Sequence, residues 1–249
     1  MSPDLRQLYL ERLRSTWRVL GAEDPLWAIL SRPDKRGNRW NIDEFFKSGE
    51  AEIAAIEQYC TNLHRPDNRN AALDFGCGVG RLTRALSSRY TNVVGVDISS
   101  SMIGRAKELH ADLSNLRFVE NVQLDLRFVD DASIDFIYSV ITLHHMPAAL
   151  QRNYIAEFMR ILAPRGLAVF QIASGYSHDL RGMAYRSIPN WLLAPLRRRV
   201  HAIDVAAEMH TLEESDVAGI AENSGRSVLL AVDVDSAGRG FRGRLLFVG

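Results

Sequence analysis

The sequence predicts an α/β domain built on a mostly parallel sheet, and three observations carry that prediction. From residue 71 onward, short apolar runs alternate with helical stretches of roughly 10–15 residues, the pattern of βαβ units. The first apolar run ends in a glycine-rich turn that leads into a helix. Two β-rich runs near the end of the chain flank Asp235-Ser236-Ala237-Gly238-Arg239-Gly240, which predicts an antiparallel hairpin finishing the sheet.

The elements follow in order. Leu5, Leu8, Tyr9, Arg12, Leu13, Thr16 and Trp17 recur at helical spacing, so the first twenty residues form an amphipathic helix that Gly21 ends. Asp24-Pro25 starts a second, short helix, and residues 31–38 are a turn cluster. Ser48 caps a helix through Ile53, Ile56, Tyr59 and Leu63, which Pro66-Asp67-Asn68 closes. Residues 1–70 are thus a helical extension, expected to act as a lid on the sheet domain of residues 71–249. Strands are expected at 71–75, 92–96, 116–119, 134–140 and 167–172, with helices near 79–89, 99–112 and 148–163. Residues 227–234 and 244–248 form the hairpin. The stretch 175–210, with Tyr185, Pro189, Trp191 and Pro195, is too long for a plain connection and reads as a helical cap over the sheet's carboxyl edge.

Composition excludes several classes of function. At 249 residues the chain can bury a full core, and its 30 basic and 30 acidic side chains cancel, so no nucleic-acid partner is expected. All but Lys35, Lys47 and Lys107 of the basic residues are arginine, and Arg197-Arg198-Arg199 is too short for a nucleic-acid footprint. No apolar run approaches the roughly 20 residues that cross a bilayer, and the first residues lack a signal peptide's apolar core. No membrane insertion and a cytoplasmic location are therefore expected. Cys60 and Cys77 make neither a disulfide framework nor a metal quartet.

The informative string is Leu73-Asp74-Phe75-Gly76-Cys77-Gly78-Val79-Gly80-Arg81. Glycines between a strand and a helix allow a tight turn and close approach of a ligand to the backbone. The spacing is G-x-G-x-G, whereas dinucleotide binders carry G-x-G-x-x-G. Asp74 precedes the loop, where a carboxylate repels a pyrophosphate but attracts an ammonium or a sulfonium. Asp97 ends the second strand, where an acid accepts hydrogen bonds from ribose hydroxyls. Together they point to an adenosyl ligand that carries an amino acid.

On these residues the sequence resembles the class I S-adenosylmethionine-dependent methyltransferases. Residues 73–80 match their first motif and Val94-Gly95-Val96-Asp97-Ile98-Ser99 their second. Residues 136–147 are similar to their fourth-strand region, and Arg160-Ile161-Leu162-Ala163-Pro164-Arg165-Gly166 to the turn before strand five. The resemblance implies a Rossmann-like seven-stranded sheet in the order 3-2-1-4-5-7-6, strand 7 antiparallel, with helices on both faces. It implies S-adenosyl-L-methionine as methyl donor and S-adenosyl-L-homocysteine as product. Asp74 and the loop of Gly76, Cys77, Gly78, Gly80 and Arg81 would hold the methionine part, and Asp97 the ribose. Ile98 and Met102 would pack on the adenine, and Val140 would lie near the sulfonium. The family's adenine-binding acid after strand three is replaced here by Val122, with Asn121 or Gln123 as substitutes. His144 and His145 follow strand four and are candidates to take a proton from the acceptor. Trp40 and Phe46 read either as an aromatic lid over the sulfonium or as a hydrophobic staple under the sheet.

The expected activity is methyl transfer to O, N or C of a small-molecule acceptor, in biosynthesis, with a homodimer as one possible assembly. The competing readings are a methyltransferase for RNA, DNA or protein, a non-catalytic cofactor-binding subunit, and an NAD-dependent oxidoreductase. Ser139-Val140-Ile141-Thr142 stands where amino methylases of nucleic acid carry a D/N-P-P-Y/F tetrad, which argues against amino methylation of adenine or cytosine in nucleic acid. The glycine spacing and Asp74 oppose the last.

Overall fold

The computed structural model describes residues 3–177, 179, 182, 183, 208–238 and 240–249. Most of the expected cap at 175–210, including Tyr185, Trp191 and the arginine triplet, lies outside these residues.

Seven strands form one sheet: β1 (Ala71–Phe75), β2 (Asn92–Asp97), β3 (Leu116–Glu120), β4 (Ile134–Ser139), β5 (Leu162–Tyr176), β6 (Val228–Val234) and β7 (Phe241–Val248). Their order is β3-β2-β1-β4-β5-β7-β6, with β7 antiparallel to both neighbours, as the resemblance implied. The β1, β2, β4 and β5 pairings are parallel, so their carboxyl ends open on one edge. β4 is buried along its whole length; its apolar run is broken by Asp135, whose Oδ2 accepts the Asn70 and Ala71 N–H groups at 2.7 and 3.0 Å. One core face gathers Leu73, Ile137, Phe158, Phe170 and Leu246; the other gathers Phe136, Tyr138, Val169 and Phe247. These alternate along each strand because successive side chains point to opposite faces.

The helices are α1 (Pro3–Glu23), α2 (Pro25–Ile29), α3 (Ile42–Leu63), α4 (Arg81–Ser87), α5 (Ser100–Leu109), α6 (Ala148–Ile161) and α7 (Glu214–Asn223). Four sequence expectations are corrected. Gly21 does not end α1; it lies inside the helix where α1 crosses α5, and a Cβ there would sit 2.7 Å from Ser101 Oγ and 2.9 Å from Met102 Cγ. The buried stripe of α1 is Leu10, Leu13 and Leu20, while Leu5 and Leu8 are 52% and 63% exposed. Ser48 is interior to α3 and donates to the Phe45 carbonyl; the cap is Asn41, whose Oδ1 accepts the Glu44 N–H at 3.0 Å. Pro164-Arg165-Gly166 is an irregularity within a long β5, with Arg165 at φ 64°, and not a turn before a short strand.

Among the described residues no helix is long and apolar enough to cross a membrane. The buried leucines of α1 contribute about 1.5–3 kcal/mol each. The exposed Arg14–Glu120 pair between α1 and β3 contributes about 1 kcal/mol at most. Burial therefore holds this helix against the sheet domain.

Candidate active site

The carboxyl ends of β1, β2 and β4 open into a cavity of about 950 Å³, its open mouth counted. Its floor is the glycine turn. Gly76 and Cys77 donate backbone N–H groups to the Val96 carbonyl at 2.7 and 3.0 Å, which folds the turn back over β2. Gly76 has φ 82°, and a Cβ there would sit 2.1 Å from Thr142 Oγ1, so this position tolerates no side chain.

Asp97 closes β2 beside the turn. Its Oδ2 accepts the Gly78 N–H at 2.9 Å and its Oδ1 the Ser99 N–H at 2.8 Å. Each carboxylate oxygen can accept more than one bond, so both retain capacity toward the cavity. Burial raises the Asp97 carboxyl above its ordinary range, opposed by those N–H bonds. Asp74, 1% exposed, is sealed beneath the turn and is not on the cavity wall; Thr83 Oγ1 donates to it at 2.6 Å. Burial pushes Asp74 up to about 7, against the Thr83 bond and the charge of Arg81.

Arg81 opens α4 and reaches the wall at 3% exposure. It donates to Glu52 of α3 at 2.8 Å, and Glu52 also accepts from the Tyr138 hydroxyl at 3.0 Å. Arg81 Nε is buried with no partner among the described residues, a donor left over beside the glycine turn. Glu52 has no sequence signal, because only the packing of α3 on α4 brings it there.

Of the expected site residues, Gly76, Cys77, Gly78, Arg81, Asp97, Ile98, Met102, Asn121, Val140 and His145 share this wall. Asp74, Gly80, Val122, Gln123, His144, Trp40 and Phe46 do not. Asn121 is the residue of its trio that reaches the wall, and its amide is engaged within its own turn, to Asp125 O and Gln123 N. Trp40 and Phe46 are buried with Phe45, Val79 and Met102, and Trp40 Nε1 donates to Leu30 O. That is the staple arrangement rather than the lid.

The two histidines separate. Both lie in a 3-10 turn, Leu143–His145, after β4. His144 is 1% exposed, and its Nδ1 has no partner among the described residues. His145 faces the cavity with Nδ1 3.0 Å from the Glu208 carbonyl oxygen. A carbonyl only accepts, so Nδ1 carries the proton and Nε2 is the open lone pair of the neutral ring. Burial depresses His145 to about 4, so the ring is neutral at pH 7.

The rest of the wall was not read from the sequence as site. Leu10, Leu13 and Trp17 of α1, Ala28 and Ile29 of α2, and Ile141, Thr142 and Met146 line the cavity too, with Ile29 against Gly78 and Thr142 against Gly76. Trp17 packs edge-on to His145 at 5.2 Å between ring centroids.

A glycine turn beside the acid that ends β2, under the carboxyl edge of a 3-2-1-4-5-7-6 sheet, is the arrangement that the sequence resemblance implied. Residues 72–166 match the sequence model of the methyltransferase domain family. The matched segment is similar in sequence to the methyltransferase domain family, in agreement with the resemblance to the class I S-adenosylmethionine-dependent methyltransferases. It is similar to sterol 24-C-methyltransferase of Kluyveromyces lactis, 27% identical over 198 residues, covering 73% of this chain and 52% of that protein. It is also similar to N-demethylindolmycin N-methyltransferase of Streptomyces griseus, 38% identical over 101 residues, 39% of this chain and 42% of that one. The chain thus spans about half the length, or less, of these curated relatives. The fold is shared with magnesium protoporphyrin IX methyltransferase of Synechocystis, solved with bound S-adenosylhomocysteine, at a TM-score of 0.61 and 17% identity over 96% of this chain and 98% of that one.

Proposed function

We propose that this protein transfers a methyl group from S-adenosyl-L-methionine to a small, partly apolar acceptor. The observation that carries the reading is one cavity lined both by the glycine turn with Asp97 and by a set of apolar side chains with His145. The spare acceptor capacity of Asp97 suits two ribose hydroxyls, and the leftover Arg81 donor suits a carboxylate. Ile98 and Met102 offer an apolar surface for a purine. The sulfonium supplies an already activated methyl, so in-line positioning accounts for most of the acceleration. When bound, the donor would supply a methyl on a sulfonium that leaves as a neutral thioether. The acceptor proton passes to Nε2 of His145.

Leu10, Leu13, Trp17 and Met146 line the same cavity as His145 and favour a ligand with an apolar face. Sterol and indolmycin methyltransferases among the relatives, both small-molecule enzymes by name, support that class. In this reading residues 1–70 are the acceptor-side extension of the catalytic domain. The test is calorimetry with S-adenosylhomocysteine followed by donor consumption against a panel of phenols, amines and prenylated quinols. Binding of the nucleoside and one methylated product support it. No heat with the nucleoside, together with binding of a nicotinamide dinucleotide, overturns it.

A further inference from the structure

Glu208 stands at the meeting point of two elements that the proposed reaction needs. Its main-chain carbonyl holds Nδ1 of His145. Its side chain is clasped from α1: Arg12 forms an ion pair with Oε1 at 2.7 Å, and the Tyr9 hydroxyl bonds to Oε2. The phenol has one proton and gives it to the carboxylate, so the 3.0 Å contact between Tyr9 oxygen and His210 Nε2 makes His210 the donor. Burial and the adjacent carboxylate hold the Tyr9 phenol well above its usual range, so it stays a donor. The segment is tied down a second time, because the His210 N–H donates to the His144 carbonyl at 2.7 Å. Leu10, Leu13 and Trp17, from the same helix as Tyr9 and Arg12, line the cavity, and Trp17 touches the His145 ring.

We propose that Glu208 is the positioning residue of this site: its carbonyl fixes the His145 imidazole with Nε2 open to the acceptor, and its carboxylate, clasped by Tyr9 and Arg12, makes that alignment conditional on docking of α1. The consequence is a site whose proton acceptor is aligned only when the helix that excludes water is in place. A methyl donor in an open site is exposed to water, so coupling the two suppresses wasted hydrolysis. The inference rests on the reading of His145 as the proton acceptor, and it is tested without a known acceptor.

The experiment is ¹⁵N NMR of the histidine side chains in the full chain, with S-adenosylhomocysteine calorimetry on the same samples. Wild type is expected to show His145 as the Nδ1-protonated tautomer. Tyr9→Phe and Glu208→Ala are expected to move the His145 signals toward tautomer averaging while nucleoside affinity stays within about twofold. Glu208→Gln keeps an acceptor for the Tyr9 hydroxyl and is expected to restore most of the wild-type signal. If Glu208→Ala fails to fold, Arg12→Ala removes only an exposed guanidinium and is expected to give a smaller shift in the same direction. An unchanged His145 tautomer in the folded variants overturns the proposal. Absence of nucleoside binding in wild type overturns the methyltransferase reading instead, and leaves the tautomer result to stand or fall by itself. Once an acceptor is found, the Tyr9→Phe loss is expected in kcat rather than in the donor KM, and a loss confined to the donor KM counts against the proposal.

Discussion

At the scale of single residues, Asp74 is buried and Asp97 only partly so, and the two carboxylates make contrasting predictions. Asp97 is on the wall with spare acceptor capacity, so Asp97→Ala should weaken S-adenosylhomocysteine binding by about 2–3 kcal/mol, read by calorimetry. Affinity within twofold of wild type would remove it from the site. Asp74 is under the turn, and burial holds it at about 7. If the ligand's ammonium acts on it, the bound form ionises it, and binding at pH 7 releases about half a proton per ligand. The sign follows from a folded-state value near 7 that falls on binding, so affinity should weaken as pH drops below 7. Titrations in buffers of different ionisation enthalpy measure the proton count. Equal counts for wild type and Asp74→Asn would show that Asp74 only braces Thr83 and the glycine turn.

At the scale of elements, the crossing of α1 over α5 controls how well the cavity is closed. Gly21→Val places methyl groups against Ser101 and Met102 and should cost about 1–3 kcal/mol by overpacking. Limited proteolysis within α1 should accelerate and the thermal midpoint should fall, with the sheet's circular dichroism unchanged. A variant with wild-type proteolysis would mean that α1 is held independently of this contact. The sheet was legible because buried parallel strands leave near-continuous apolar runs, and the glycine turn because its spacing is local. The face of α1 was not. Leu5 and Leu8 match the helical period as well as Leu10 and Leu13 do, and only the partner surface decides which pair is buried. The same reason hid Glu52 and the apolar wall, whose contacts span from α1 and α3 to the sheet. Helix α7 went unread although Val217, Ile220 and Ala221 recur at helical spacing and Gly225 follows it, because no strong N-cap marks its start.

At the scale of the whole molecule, pH sums these buried groups with opposite signs. Burial lowers His144 and His110 and brings His145 to about 4, against an unfolded value of about 6.5. As pH falls through 6.5 the unfolded chain takes up protons that these folded rings refuse, so stability is lost. Asp74 and Asp97 run the other way. Raised in the folded state, they accept protons while the unfolded carboxyls, at about 3.9, stay ionised, so Asp74 adds stability as pH falls from about 7 toward 4 and Asp97 acts in the same direction. Glu157, held low first of all by its bond from Arg160, loses its stabilisation only below about 4.5 and stays out of this window. The wild-type slope between about pH 5 and pH 7 is therefore a partial cancellation, each fully differing group being worth about 1.4 kcal/mol per pH unit. Asp74→Asn should leave the histidines less opposed and steepen the loss of urea-unfolding free energy toward pH 5. His145→Gln should flatten it. Equal slopes in the three proteins would mean that neither group is as sealed from water as its packing under the turn and beneath α1 requires.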